Sequence, residues 1–472
     1  MDLPDFKSLT NQESPIYLQL YWRFRNAIAT GKLIPGDRVP SIRSLASELN
    51  LARGTVEAAY QMLTSEGYLI GRGPAGTVVS PQLDGRIGAT TPVGSTALHR
   101  PSQVKTPGFR PLQLGLPALD AFPRKTWVRL AGRNLRAMNA DDMVNSDPNG
   151  YEPLRRAIAA YLAVSRGIAC TPDQVFVTAG YRGALELIRR TLFQPGDTGW
   201  FEDPGYLHAR RFLEDAGMRL TPLPVDDNGL NVEAGLRQAV NARFAVVTPT
   251  HQSPSGIALS LPRRLALLEW AQAQRAWIVE DDYDSEFRYD GRPLAPLKSL
   301  DHGGRVLYAG TFSKVLYPGL RLAYLVVPEQ EIGKFRNSMA QLGSSPLLFQ
   351  ATVADFMEQG HFARHIKKMR SLYATRRDYL VQALAQVFGE VLQVPDRAGG
   401  IHVLAYLKSK YNDRALAAAA NANGLAVMAL SEWHIRRRSP VGLLMGFANI
   451  ATPEQAQEQV RWLKKILDAL PP

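Results

Sequence analysis

The stretch Ala309–Val327, "AGTFSKVLYPGLRLAYLVV", sets one lysine, Lys314, between two apolar runs, with Arg321 seven residues later. An ammonium group at the end of a buried strand costs several kcal/mol to desolvate without a partner. Either the side chain reaches the surface or its amine has a chemical task. Other strand ends also carry polar groups, and ligands of open α/β sheets bind beyond strand ends. "IVEDDYDSEF" places Asp281, Asp282 and Tyr283 just past an apolar strand, and "VVTPTHQSPSG" ends in a turn with His251, Gln252 and Ser253. "FVTAGYRGALELI" reads as strand, glycine turn and helix. Gly180, Tyr181 and Arg182 then lie at a helix N-terminus whose exposed N–H groups make an anion site.

Around this stretch, from Gln113 onward, β-rich runs such as "QVFVTAG", "RFAVVTPT", "AWIVEDDY" and "LAYLVV" alternate with helical stretches such as "ALELIRRTLF". That alternation indicates an α/β domain with a mainly parallel sheet. After Glu331 the pattern turns helix-rich, and "GGIHVLAYL", "GLAVMAL" and "GLLMGFANI" suggest a smaller α+β subdomain. At 472 residues the chain is long enough for two or three domains. With 45% hydrophobic and 21% charged residues it has the composition of a soluble globular protein. No apolar run reaches membrane-spanning length and no signal pattern opens the chain. The single cysteine, Cys170, excludes an internal disulfide framework and suits a reducing cytoplasm.

A net charge of +12 hints at a polyanionic partner, yet residues 1–80 carry eight Lys+Arg against seven Asp+Glu. The case for nucleic acid therefore rests on where particular arginines sit. Tyr17, Leu20, Phe24 and Ile28 recur at helical spacing. Pro40-Ser41 opens a second, short helix with Ser41 as N-cap, and a third is expected from about Arg53 to Glu66. "GYLIGRGPAGTVVS" then alternates around a Gly/Pro-rich tip, as a β-hairpin does. Two helices, a tight turn and a hairpin make a winged helix-turn-helix over residues 1–80. Arg53, Gly54 and Thr55 would open the recognition helix, while Arg43 and the wing tip at Arg72 and Gly76 would meet phosphates of double-stranded operator DNA. "GRGPAG", Gly71–Gly76, imitates a dinucleotide fingerprint, but Pro74 lies inside it and a strand rather than a helix follows. Residues 81–112, rich in Pro, Gly, Ser and Thr, read as an extended linker to a body over 113–472.

One ligand wants an amine, a carboxylate, a phenol and a phosphate cradle together: pyridoxal 5'-phosphate. A lysine forms a Schiff base with its aldehyde, a carboxylate keeps its pyridine nitrogen protonated, a tyrosine meets the ring oxygen, and glycine-turn amides with an arginine hold the phosphate. The order of acidic strand end and S-K-x-x-x-P-G along the chain sharpens the match. The head, whose "PSIRSLA" follows the pattern P-S-x-R-x-L-A, resembles the GntR family of bacterial DNA-binding domains. Almost the whole chain resembles the MocR/GabR-type regulators, a GntR head fused to a body similar to fold-type I aminotransferases.

The resemblance implies Lys314 as Schiff-base lysine, Asp281 as pyridine-nitrogen partner and Tyr283 as partner of the ring oxygen. Glu280 and Asp282 compete with Asp281 for register. Arg321 and the turn Gly180–Arg182 would hold phosphate, Tyr206 would stack on the ring, and Ser253 and Ser313 would add contacts. Arg210 is an expected effector contact; both it and Tyr206 have packing or surface roles as alternatives.

Departures from the pattern bear on function. Ser253 replaces the asparagine of N-P-x-G, and Leu444 in "VGLLMGFANI" stands where aminotransferases commonly carry a carboxylate-gripping arginine. Without that clamp, turnover of an α-amino acid suffers. "IRRR", Ile435–Arg438, is a possible substitute or a solvated loop. His361 and His365 in "HFARH" lack the glutamate of a zinc motif, so no metal is expected. The expectation is a PLP-dependent transcription regulator, cytoplasmic and on the nucleoid when bound to DNA. It would sense an amino compound or PLP through aldimine chemistry at Lys314, with at most residual transaminase activity. It would form a homodimer, head-to-tail on the resemblance. The alternatives are a working aminotransferase with an autoregulatory head, and a DNA-binding protein whose body only dimerises. Effector, operator and the direction of regulation are not legible.

Overall fold

Leu20, Phe24 and Ile28 fall on one face of the helix Ile16–Ala29 and are buried there, because 3.6-residue spacing brings them to a single stripe. Phe24 meets Tyr60 of the helix Arg53–Ser65 edge-on, ring centroids 5.4 Å apart. Between them the helix Ile42–Glu48 is capped by Ser41, whose side chain accepts from the Ser44 N–H at 3.1 Å. Asn50, at φ 53°, makes the tight turn into the third helix; asparagine is among the few side chains that visit this region routinely. The strands Leu69–Gly71 and Thr77–Val79 form the expected hairpin, and a third strand, Arg38–Val39, pairs on its other side. Two residues are too few for alternation to announce a strand.

The structure is a computed structural model that describes residues 15–83, 109–144, 147–289, 291, 294–343, 345–408, 410–435 and 440–470. The chain divides into two units, Met1–Thr106 and Pro107–Pro472. Most of the expected linker, 84–108, and Arg436–Arg438 of the "IRRR" run lie outside the described residues.

The second unit is built on an eight-stranded sheet. Its order is Val175–Thr178, Ala323–Val326, Val306–Thr311, Trp277–Asp282, Phe244–Val247, Thr198–Asp203, Arg219–Asp226, Gly229–Leu230. Strands 198–203, 219–226, 244–247, 277–282 and 306–311 run parallel, while Ala323–Val326 is antiparallel to both its neighbours. The central strands Phe244–Val247 and Trp277–Asp282 are buried along their whole length, so they do not show the alternation of a half-exposed strand. Helices such as Tyr181–Leu192 and Leu261–Gln274 cover the sheet, the latter stacking Trp270 on Trp200 at 3.8 Å between ring centroids.

The smaller subdomain is a four-stranded antiparallel sheet, ordered Leu392–Gln393, His402–Leu407, Gly442–Gly446, Met428–Ala429, with the 28-residue helix His361–Phe388 beside it. The chain enters this body earlier than Gln113: the Pro111 carbonyl accepts from the Ala426 N–H at 2.8 Å, and the Leu112 carbonyl from the Gly446 N–H at 2.9 Å. Among the described residues no helix is long and apolar enough to cross a membrane.

Candidate functional site

Strand alternation separates the three acids of "EDD". Glu280 and Asp282 share a face and Asp281 points the other way. Glu280 accepts from the Leu297 and Lys298 N–H groups, both at 2.8 Å, and burial pushes its pKa up to about 7. Asp282 pairs with Arg166 at 3.3 Å and accepts from the Tyr308 hydroxyl. Both serve the structure of the body. Asp281 faces Tyr181, Tyr206 and Lys314 instead, and burial raises its pKa well above the ordinary carboxylate range. The Tyr181 phenol beside it partly offsets that rise, though its hydroxyl is buried and makes no hydrogen bond among the described residues.

Lys314 follows the strand Val306–Thr311. Its Nζ donates to the Gly115 carbonyl at 2.9 Å, and Gly115 leaves no room for a side chain: a Cβ there would stand 2.6 Å from Nζ. Burial lowers the lysine's pKa, opposed by the Asp284 and Asp281 charges. Among the described residues neither Lys314 nor Asp281 takes part in an ion pair. A desolvated amine and a desolvated carboxylate are thus held near each other without neutralising each other.

At the other end of this region, Gly180 at φ 78° ends the edge strand and opens the helix Tyr181–Leu192 without a side-chain cap. The first N–H groups of a helix have no intrahelical acceptor. The Arg321 guanidinium lies beside this turn, 3.8 Å from where a Gly180 Cβ would be. Arg321 itself sits at φ 51° after the turn Pro318–Leu320. Arg182, by contrast, is exposed and lies over the Phe212 ring at 5.6 Å, so only its backbone faces the turn. Tyr206 is half-buried, 6.2 Å from Tyr181 between ring centroids and 6.0 Å from Trp433, with its pKa raised to about 12 by burial.

Tyr283 is half-buried; desolvation and the nearby Asp284 and Asp281 charges raise its pKa, and the nearby Ser253 hydroxyl works in the other direction. The Ser253 N–H donates to Thr248 Oγ1 at 2.9 Å, and the Ser313 N–H to Thr311 Oγ1 at 3.2 Å. Arg210 donates to the backbone carbonyls of His434 at 3.0 Å and Glu432 at 3.2 Å, and so braces that loop. His361 contacts Arg129 and Arg364 while His365 reaches the Val315 carbonyl, so the two do not converge. Leu444 is fully buried with Leu207, Leu404, Leu430 and Trp433.

In the head, Arg43, Arg53 and Gly54 are exposed, Thr55 is half-buried and all belong to the two short helices of the helix-turn-helix. Arg72 and Gly76 lie at the tip of the hairpin. Sequence reasoning missed Arg38: its guanidinium reaches within 3.0 Å of a Cβ position at Gly76, so strand Arg38–Val39 adds a cation to the wing.

Residues 16–79 match the family described as bacterial regulatory proteins, gntR family, and residues 120–444 match aminotransferase class I and II. The chain is 36% identical to the "Probable rhizopine catabolism regulatory protein MocR" of Rhizobium meliloti, over 97% of this chain and 94% of that protein. It is 34% identical to the HTH-type pyridoxine biosynthesis transcriptional regulator PdxR of Corynebacterium glutamicum, over 99% of each. A crystal structure of Pyrococcus horikoshii kynurenine aminotransferase, in complex with PMP, superposes at TM-score 0.69 with 28% identity, covering 78% of this chain and 93% of that one.

Proposed function

Because the chain belongs to the MocR-type regulators, a gntR-family head joined to an aminotransferase class I and II body, we propose that it regulates transcription through pyridoxal 5'-phosphate held in its body. Its signal would be an amino compound, or the cofactor itself, acting through Schiff-base chemistry at Lys314. One observation carries this reading: Lys314 and Asp281 are both desolvated on the same side of the strand ends and neither is paired among the described residues. Such an arrangement is costly unless a ligand brings the missing partners.

When bound, the cofactor supplies an aldehyde for an amine and a ring that withdraws electrons. Asp281 would hold the proton of the ring nitrogen, and its buried position makes that ion pair strong. Tyr283 and Ser253 would meet the ring oxygen. The N–H groups after Gly180 and the Arg321 guanidinium would hold the phosphate. Tyr206 would lie against the ring face, with Tyr181 and Ser313 at its margins. Burial lowers the pKa of Lys314, which favours the neutral form that can act as a nucleophile.

A signalling role is favoured over efficient transamination by Leu444. A buried leucine offers a substrate carboxylate no donor, so an α-amino acid lacks a grip at that point. The heads would bind operator duplex through Arg43, Arg53, Gly54, Thr55, Arg72 and Gly76. A homodimer, head-to-tail, would pair two heads with two half-sites.

The full chain, incubated with amino donors and a keto acid, tests this through the cofactor's absorbance and through DNA binding. A Lys314-dependent colour that changes once with an amino compound and alters DNA affinity is expected. Sustained cycling at ordinary enzyme rates would overturn the regulatory reading of the body, and absence of any Lys314-dependent colour would overturn the site.

A further inference from the structure

His251 is a group the reading above leaves without a task. Its ring lies in a slot between two glycines: a Cβ on Gly400 would come 2.2 Å from Cε1, and one on Gly256 would come 2.9 Å from Nε2. Both glycines have left-handed φ, 95° and 73°, so neither position readily takes another residue. The slot aims Nδ1 at two groups. It lies 3.0 Å from the Tyr283 hydroxyl and 3.2 Å from each carboxylate oxygen of Asp284, whose side chain is 1% exposed.

The donors and acceptors fix the direction of these bonds. An ionised Asp284 only accepts, so the hydrogen must sit on Nδ1. Nδ1 therefore cannot accept the phenol hydrogen of Tyr283. The Tyr283 hydroxyl also has Asp284 and Ser253 within reach; an Asp284 charge already shared with Nδ1–H holds the phenol hydrogen less firmly, so an oxygen presented by a ligand can claim it. Asp284 is also the foremost charge sustaining the Lys314 ammonium. Among the described residues, the charged and titratable groups around His251 and its neighbour His402 are Asp284, Tyr283, Lys314, which acts on His402, and, beyond Gly256, Arg397. His402 stays neutral, its pKa pushed down to about 4 by burial and by His251, with Nε2 placed 3.0 Å from the Pro254 carbonyl.

We infer that His251 and Asp284 are a positioning pair, which turns the Tyr283 hydrogen toward a ligand's ring oxygen and sets the proton affinity of the Lys314 nitrogen. The inference rests on the pyridoxal 5'-phosphate reading of the site. A hydroxyl donating to the ring oxygen competes for the lone pair that would otherwise hold the Schiff-base proton, so it makes that nitrogen a weaker base. Without His251, Asp284 takes the phenol hydrogen and the ring oxygen loses its donor, which favours protonation. Without the Asp284 charge, protonation is disfavoured.

The test is the pH midpoint of the absorbance change in the full-length protein loaded with pyridoxal 5'-phosphate. His251→Phe is expected to raise the midpoint by about one unit and Asp284→Asn to lower it by about one unit. His251→Asn, whose amide N–H replaces Nδ1–H, stays near the wild type. A merely structural role would leave the midpoints alone or move them the same way, and either result overturns the inference. Should His251→Phe fail to fold or to load, Asp284→Asn and His251→Asn decide it, and an Asp284→Asn midpoint that does not fall overturns it. A wild-type chain that takes no colour refutes the reading of the site itself, and the pair's role with it.

Discussion

Lys314 and Gly115 are joined by one hydrogen bond, from Nζ to the carbonyl oxygen at 2.9 Å, across 199 positions of sequence. A neutral carbonyl holds an ammonium group in place without cancelling its charge, so the amine is oriented yet remains available.

Gly115→Ala tests that arrangement. The position has φ 78° and a Cβ would stand 2.6 Å from Nζ, so the substitution strains the backbone by roughly 1–2 kcal/mol and displaces the amine. Uptake of pyridoxal 5'-phosphate, followed by absorbance, is expected to weaken by about tenfold or more. Lys314→Ala should show no Schiff-base band at all. A Gly115→Ala protein titrating like the wild type would remove the contact from the argument.

Asp281→Asn separates holding the fold from holding the ligand. The carboxylate is desolvated without a cation partner among the described residues, so its loss should leave the cofactor-free melting temperature unchanged or higher. The rise in melting temperature on adding pyridoxal 5'-phosphate should shrink sharply. Equal rises in the two proteins would assign the ring nitrogen to some other group.

Glu202 gives the body a pH dependence of known sign. It is fully buried, accepts from the Thr248 N–H at 3.1 Å and its hydroxyl at 2.6 Å, and burial lifts its pKa to about 7. The folded state therefore binds a proton that the unfolded state has released between about pH 4.5 and about pH 7. Its contribution is fully present below the lower value and is lost as pH rises through the upper one. Glu202→Gln imitates the protonated acid. Its stability relative to the wild type, from urea melts, should improve by an amount on the order of 2 kcal/mol across that window. A constant difference would mean that Glu202 does not titrate there.

Arg38→Ala and Arg53→Ala should weaken DNA binding differently. Arg38, at the wing, is placed for phosphate, so its loss should lower affinity about equally for all duplexes and reduce the salt slope by about one. Arg53, at the exposed start of the recognition helix, should alter discrimination between sequences. Fluorescence anisotropy on several duplexes distinguishes the two; identical behaviour would place both on the backbone.

The sequence made the helices of the head legible because Leu20, Phe24 and Ile28 follow a helical period and Ser41 a capping rule. Strand Arg38–Val39, and with it a wing cation, was hidden because two residues carry no period. In the body, polar residues after apolar runs marked Lys314, Asp281, Tyr283 and the Gly180 turn, since chemistry at strand ends leaves a local trace. The contact between Asp284 and His251 left none. Its meeting with His251 depends on two loops 33 positions apart crossing in one register, and on glycines at 256 and 400 that clear the space. The carbonyl contacts of Arg210 were not legible either, because an arginine near a site reads the same whether it holds a ligand or a carbonyl.

The antiparallel insertion of Ala323–Val326 has a consequence for a chain emerging from the ribosome. Among the described residues, Val175–Thr178, which leads into the Gly180 turn, pairs in the sheet only with Ala323–Val326. That edge must wait through almost 150 residues of synthesis before its partner exists. Contacts so distant in sequence form late. Arg321 and the last interior strand arrive together, so the meeting of Arg321 with the Gly180 turn and the closure of the sheet become one event, and a prematurely terminated chain has neither.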